Sequence, residues 1–213
     1  MTNLVEIRDG GAELGGRLLS VVINRIYGRG GARPLHPKGE VLRATWSVAE
    51  DAAEPVGVPV CDQQGTWTCV VRHSRAIGLS DGMPDIEGVA VRIEGPSGGD
   101  LLFAATGSGR ISRHLLLPRV SVGTCSTLVP MATSTGPVML RLRPSDAGSA
   151  TWALSWSRPG GQWRTFGGLT IDGDATRVGP YNPVDGPPRG LTQYRTVALL
   201  RRPSYVQAAR QRI

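Results

Sequence analysis

Hydrophobic and polar positions change their period along this chain. At 14–27, LGGRLLSVVINRIY, the residues Leu18, Leu19, Val22, Ile23 and Ile26 recur at three- and four-residue spacings. That spacing predicts a short amphipathic helix ending before Gly28. A loop rich in Gly, Pro and Arg follows to Pro37, and from Glu40 the period becomes two. EVLRATWSV (40–48), TWTCVVRHS (66–74), GVAVRIE (88–94) and DLLFAAT (100–106) alternate as strands do, separated by Gly, Pro and Asp turns. After an irregular stretch around Leu115, Leu116 and Leu117, strands are predicted again at 137–143, 151–158 and 162–171. Seven or so short strands in one run predict an antiparallel barrel or sandwich within an α+β chain. From 179 to 190, GPYNPVDGPPRG leaves the sheet, and the closing segment TVALLRRPSYVQAARQRI returns to helical composition.

Composition narrows this picture. At 213 residues, 40% hydrophobic and 19% charged, the chain suits one globular domain rather than a disordered or fibrous one. The 29 Gly and 16 Pro exclude a mostly long-helical fold. Cys61, Cys69 and Cys125 have neither disulfide-framework nor zinc spacing, which points to a reducing compartment. The N-terminal MTNLVEIRDGG is unlike a leader, and no run approaches a membrane span, so a cytoplasmic protein is expected. The net charge of +7 is an arginine charge, since Lys38 is the only lysine. Residues 189–213 hold six of those arginines and no acid, a surplus that fits nucleic acid, an anionic cofactor or a solvated tail.

Two groups of residues carry candidate chemistry. Alternation in TWTCVVRHS sends Thr68, Val70, Arg72 and Ser74 to one face, and Trp67, Cys69, Val71 and His73 to the other. One face thus presents a cation and a hydroxyl, and His36 stands in the loop just ahead of the first strand. A hydroxyl that engages one imidazole nitrogen fixes the tautomer and leaves the other nitrogen to move a proton. At the other end, Arg201 and Tyr205 are four apart and Arg212 seven further on, all on one helical face. A cation beside a phenol favours the phenolate, a hard ligand suited to ferric iron. The same residues also fit a basic terminal helix with an incidental tyrosine.

Five blocks in order resemble the catalase family, in particular its small members. RPLHPKG (33–39) resembles the segment holding the distal histidine, and VRHS (71–74) the strand signature VRFS. PDIEGVAVRI (84–93), DLLFAATG (100–107) and RRPSY (201–205) resemble three further catalase stretches, the last carrying the R-x-x-x-Y of the proximal ligand. The resemblance implies a single catalase-like domain over 1–213: an N-terminal helix and distal loop (1–37), a closed antiparallel barrel (38–175), and a connection with a haem-ligating helix (176–213). It implies haem b with Tyr205 as axial ligand to the iron and Arg201 stabilising its phenolate. It further implies His36 as distal acid/base, Ser74 as its orienting partner, and Arg33, Arg72 and Arg212 as propionate contacts. Ala104 stands where the family has a distal asparagine, which leaves Thr106 as the nearby hydroxyl able to address peroxide.

The implied activity is peroxidase or hydroperoxidase chemistry on hydrogen peroxide or organic hydroperoxides with an organic co-substrate, weak catalase turnover, and a homodimer. Two alternatives stand beside it. One is a haem-dependent biosynthetic oxidase or hydroperoxide-rearranging enzyme, of the allene-oxide-synthase type. The other is a basic β-barrel that binds nucleic acid.

Overall fold

The computed structural model describes residues 39–50, 54–76, 82–146, 150–175 and 179–199. Its core is a closed barrel of eight antiparallel strands. The ring runs through β1 (Gly39–Val48), β2 (Gly65–Arg75), β3 (Glu87–Ile93), β4 (Gly99–Ala105), β5 (Cys125–Ser126), β7 (Gly136–Pro144), β8 (Thr151–Ser157) and β9 (Arg164–Asp174). Spatially β1 lies between β2 and β9, and the β7–β8 pairing completes the circle. Two further strands, β6 (Met131–Thr133) and β10 (Thr192–Gln193), extend the sheet from the edge of β7.

The seven long strands fall where the alternation predicts them, to within about three residues at either end. The shorter β5, β6 and β10 escape sequence reading, because two or three residues cannot display a period. Inward positions alternate as a half-buried strand requires. Ala44, Trp46 and Val48 on β1, Cys69 and Val71 on β2, and Val89, Val91 and Ile93 on β3 are all buried. Leu101 and Phe103, then Leu140 and Leu142, then Leu154 and Trp156 continue the same core around the ring. Register shifts between Arg43 and Ala44 and between Leu154 and Ser155, both against β9, bend the sheet where it must close.

One end of the barrel is stoppered. The helical turn Pro59–Asp62 follows β1, and the Asp62 carboxylate accepts three backbone N–H bonds, from Val56, Gly57 and Val58, at 2.9, 2.7 and 2.8 Å. That clamp holds Val56, Val58 and Val60 in the core. The Trp46 indole N–H donates to the Val60 carbonyl at 2.7 Å, and its ring lies 6.0 Å from that of Phe166, tilted by 44°. The predicted N-terminal helix lies outside the described residues. Of the closing helix, a turn at 195–199 is described and the remainder is not.

Among the described residues no helix is long and apolar enough to cross a membrane.

Candidate functional site

The register of β1 to β5 sets out the face on which Arg72 and Ser74 lie. Gly39, Ser74, Gly88, Ala104 and Ser126 are successive cross-strand partners. Val41, Arg72, Ala90 and Leu102 form the next row, and Arg43, Val70, Arg92 and Asp100 the one after. All of these point away from the barrel interior. At the centre of this outer face stand Gly88, Ala90 and Ala104, whose side chains rise little above the backbone. The result is a flat, apolar floor with a cation at one side and a hydroxyl at the end.

Gly39 is what lets Arg72 lie there. A Cβ at position 39 would sit 2.7 Å from Arg72 Nη2 and 2.8 Å from the His73 carbonyl oxygen, so any other residue collides with the guanidinium. Ser74 is buried, and its hydroxyl donates to the Gly88 carbonyl at 3.3 Å. A hydroxyl whose proton is so placed keeps acceptor capacity for a second group. Position 36 is three residues ahead of Gly39, but His36 itself lies outside the described residues, as do Arg33, Arg201, Tyr205 and Arg212. Of the expected site residues, then, the structure places Arg72, Ser74 and Thr106.

Thr106 shares the outward phase of Ala104 but is one row further on. It is fully buried, and its hydroxyl donates to Ser126 Oγ at 3.0 Å. Ser126 Oγ in turn donates to the Arg113 carbonyl at 3.0 Å and accepts from the Leu128 N–H at 3.1 Å. The loop between β4 and β5 folds back over Thr106, whose N–H donates to Thr124 and whose carbonyl accepts from Arg119. Its hydroxyl is thus engaged in an internal network, while Ala104 remains on the floor in Ser74's row.

Two walls border the floor, neither legible in the sequence. Along one side, the connection after β9 is tied down by an Arg92–Asp100 pair. Arg92 Nε and Nη2 donate to the two Asp100 oxygens at 2.7 Å each, and Nη2 donates also to the Pro180 carbonyl at 2.7 Å. Asp100 accepts the Asn182 N–H at 2.6 Å, and the Tyr181 hydroxyl donates to the Val70 carbonyl at 3.2 Å. The strap passes so close that a Cβ at Gly99 would lie 2.4 Å from the Pro187 carbonyl carbon. Along the other side, the β4–β5 loop bridges to Thr106 through Leu116 and leaves Leu115, Leu116, Val120 and Val122 in solvent.

The remaining histidines sit elsewhere. His73 points inward at the open end of the barrel, 3.5 Å from the buried Glu87, which accepts the Gly123 N–H at 3.1 Å. His114 is exposed, with Nδ1 3.0 Å from the Leu128 carbonyl. Among the described residues no group of three or more His, Cys, Asp and Glu could hold a metal ion.

No family model matches the sequence, and no curated protein sequence matches it. Solved structures do. Catalase A from Saccharomyces cerevisiae superposes with a TM-score of 0.63 at 10% identity, over 85% of this chain and 61% of its own. The chain has the fold of the catalases. A bacterial catalase gives 0.62 at 12% identity over 85% of this chain and 57% of its own, and a fungal catalase 0.64 at 12% over 92% and 62%. This chain therefore spans about three fifths of the length of those catalases. At such identities what is shared is the catalase fold, and what happens on the outer face must be argued from the residues themselves.

Proposed function

We propose that this chain is a haem-dependent peroxidase that seats haem b on the outer face of β1–β4 and cleaves the O–O bond of organic hydroperoxides in preference to hydrogen peroxide. The observation that carries this reading is the flat Gly88–Ala90–Ala104 floor with Arg72 and Ser74 on the same face. A planar aromatic macrocycle needs such a floor, its carboxylate edge needs a guanidinium, and Arg72 supplies one. Arg33 and Arg212 are proposed to share that edge, Tyr205 to ligate the iron as phenolate, and Arg201 to hold the phenolate charged.

Bound haem supplies the iron and the electrons for breaking the O–O bond. The protein's own part is proton transfer. His36 takes the proton from one peroxide oxygen and returns it to the other, so that water or an alcohol leaves. Ser74 accepts from the second imidazole nitrogen and fixes the tautomer. With alanine at 104 and the Thr106 hydroxyl engaged with Ser126, the floor offers little hydrogen bonding to a small peroxide. The apolar rim of Leu115 and Leu116 instead favours an organic substituent. That same apolar lining suits the second reading, rearrangement of an organic hydroperoxide, in which no external reductant is consumed. A soluble homodimer is proposed for either.

Haemin titration of the purified chain tests the ligand. The wild type should develop a high-spin ferric spectrum with tyrosinate character, and Tyr205→Phe should remove it; an identical spectrum in the variant eliminates Tyr205. His36→Ala should retain haem and slow peroxide cleavage by about 10²-fold or more, the usual range for positioned proton transfer being ~10² to 10⁴. An allylic fatty-acid hydroperoxide turned over with no added reductant would select the rearranging enzyme.

A further inference from the structure

On the far side of the ring from Arg72, the outward positions of β7 and β8 hold a second concentration of charge. Arg141 and Ser155 are cross-strand partners there, and Ser157 lies two residues further along β8. The β4–β5 loop delivers Arg113 to the same place. Arg113 is 2% exposed and Arg141 7%. Both guanidinium carbons lie over the Trp163 ring, 4.5 and 4.6 Å from its centroid. The indole N–H of Trp163 donates to the Ser108 carbonyl at 2.9 Å, which fixes the ring over the pair.

The partners of these two cations are all neutral. Arg113 donates through Nε to the Gly109 carbonyl at 2.9 Å, through Nη1 to Ser157 Oγ at 2.8 Å and through Nη2 to the Gly161 carbonyl at 2.8 Å. Arg141 donates through Nη2 to Ser155 Oγ at 3.1 Å, and its Nε, though buried, has no partner. Among the described residues no carboxylate pairs with either guanidinium. The charges that act on them are of the same sign: Arg110 on Arg113, and Arg143 and Arg113 on Arg141. Burial, then Arg143 and Arg113, pull Arg141 down to about 10, so it is strained as a cation but still charged at neutral pH.

Two buried like charges with only neutral partners cost desolvation that their contacts do not return. An aromatic face offsets part of that cost and an anion offsets more. We propose that Arg141 and Arg113, walled by Trp163, form a binding site for the phosphate group of a phosphate ion or monoester. The unpartnered Arg141 Nε and the Nη2 beside it, which gives its other proton to Ser155, are the edge that receives it. Phosphate suits the site better than a carboxylate, since a phosphate monoester carries a charge of about −1.5 to −2 at neutral pH and the site offers at least two cations. Trp163 is half-exposed, so an organic group on the phosphate has an indole edge to stack against. Arg141 follows Ser126 around the ring, and none of the residues that form this site is one proposed to hold haem.

Inorganic phosphate titrated into the full chain, followed by calorimetry and melting temperature, tests this directly. Saturable binding and a rising melting temperature are expected. Arg141→Met, which keeps the stem and removes the fork, should abolish both, and Arg141→Lys should weaken binding at least about tenfold because an ammonium is not a fork. Phenyl phosphate binding more tightly than inorganic phosphate identifies an organic phosphate as the natural ligand; equal affinities identify phosphate itself. Absence of saturable binding to the wild type overturns the proposal, whatever the variants do. Equal binding by wild type and a folded Arg141→Met overturns it too.

Discussion

Gly39 does more than end a loop. It vacates the space that the Arg72 guanidinium crosses, and the His73 carbonyl oxygen closes that space from below. Gly39→Ala should therefore displace Arg72 and destabilise the barrel by about 1–3 kcal/mol, the ordinary cost of overpacking, visible as a lowered urea midpoint. The sequence shows a glycine there, but the need for one arises only when β1 and β2 pair. The cysteines behave oppositely to reactive thiols. Burial raises Cys61 beyond the usual thiol range, while burial lifts Cys69 and Cys125 up to about 12. All three are free and buried, so a thiol reagent should label none in the native protein and all three after denaturation. Their folded values exceed the unfolded value of 9.0, so folding retains their protons. The associated stability is present below pH 9 and is lost as pH rises towards 12. The fall should approach about 1.4 kcal/mol per pH unit for each thiol, and Cys125→Ala should flatten the curve by one such contribution.

At the scale of elements, the long strands announce themselves because each has one dry face. TWTCVVRHS reads as a strand with Arg72 and Ser74 on one side, and the barrel sets Cys69 and Val71 inside and those two outside. What the pattern does not announce are elements that depend on a distant partner. Asp100 reads as a turn residue before a strand; only in three dimensions does it hold both Arg92 and the Asn182 backbone. Trp163 looks like one more core tryptophan beside Trp46, Trp152 and Trp156, yet its ring packs against two arginines outside the barrel. Arg113 stands in a loop with no period, and the carbonyls it bonds are 4 and 48 residues away. Asp100→Asn should weaken the strap first. The expected signature is faster proteolysis within 180–188 and a loss of about 1–3 kcal/mol, since the variant leaves Arg92 beside a neutral partner in a partly buried site.

For the molecule as a whole, closure into a ring sets the described arginines at different points around its outer surface. Arg92 is paired with Asp100, Arg75 stands 3.7 Å from the buried Asp85, and Arg158 and Arg164 lie over Trp156. Arg72 borders the β1–β4 face, and Arg113 and Arg141 lie against Trp163. Among the described residues the arginine charge is thus set against individual carboxylates, rings and proposed ligands rather than laid out as one stripe.

The central claim is positional: haem sits on the β1–β4 face. Ala104 and Ala153 are both half-buried outward alanines, one on that face and one on β8. Haemin titrations of Ala104→Trp and Ala153→Trp, each checked for native circular dichroism, separate the two faces. The account predicts that tryptophan at 104 weakens haem binding by at least about tenfold, or 1.4 kcal/mol, while tryptophan at 153 leaves it unchanged. Equal affinities for the two variants, or a loss confined to position 153, would contradict it.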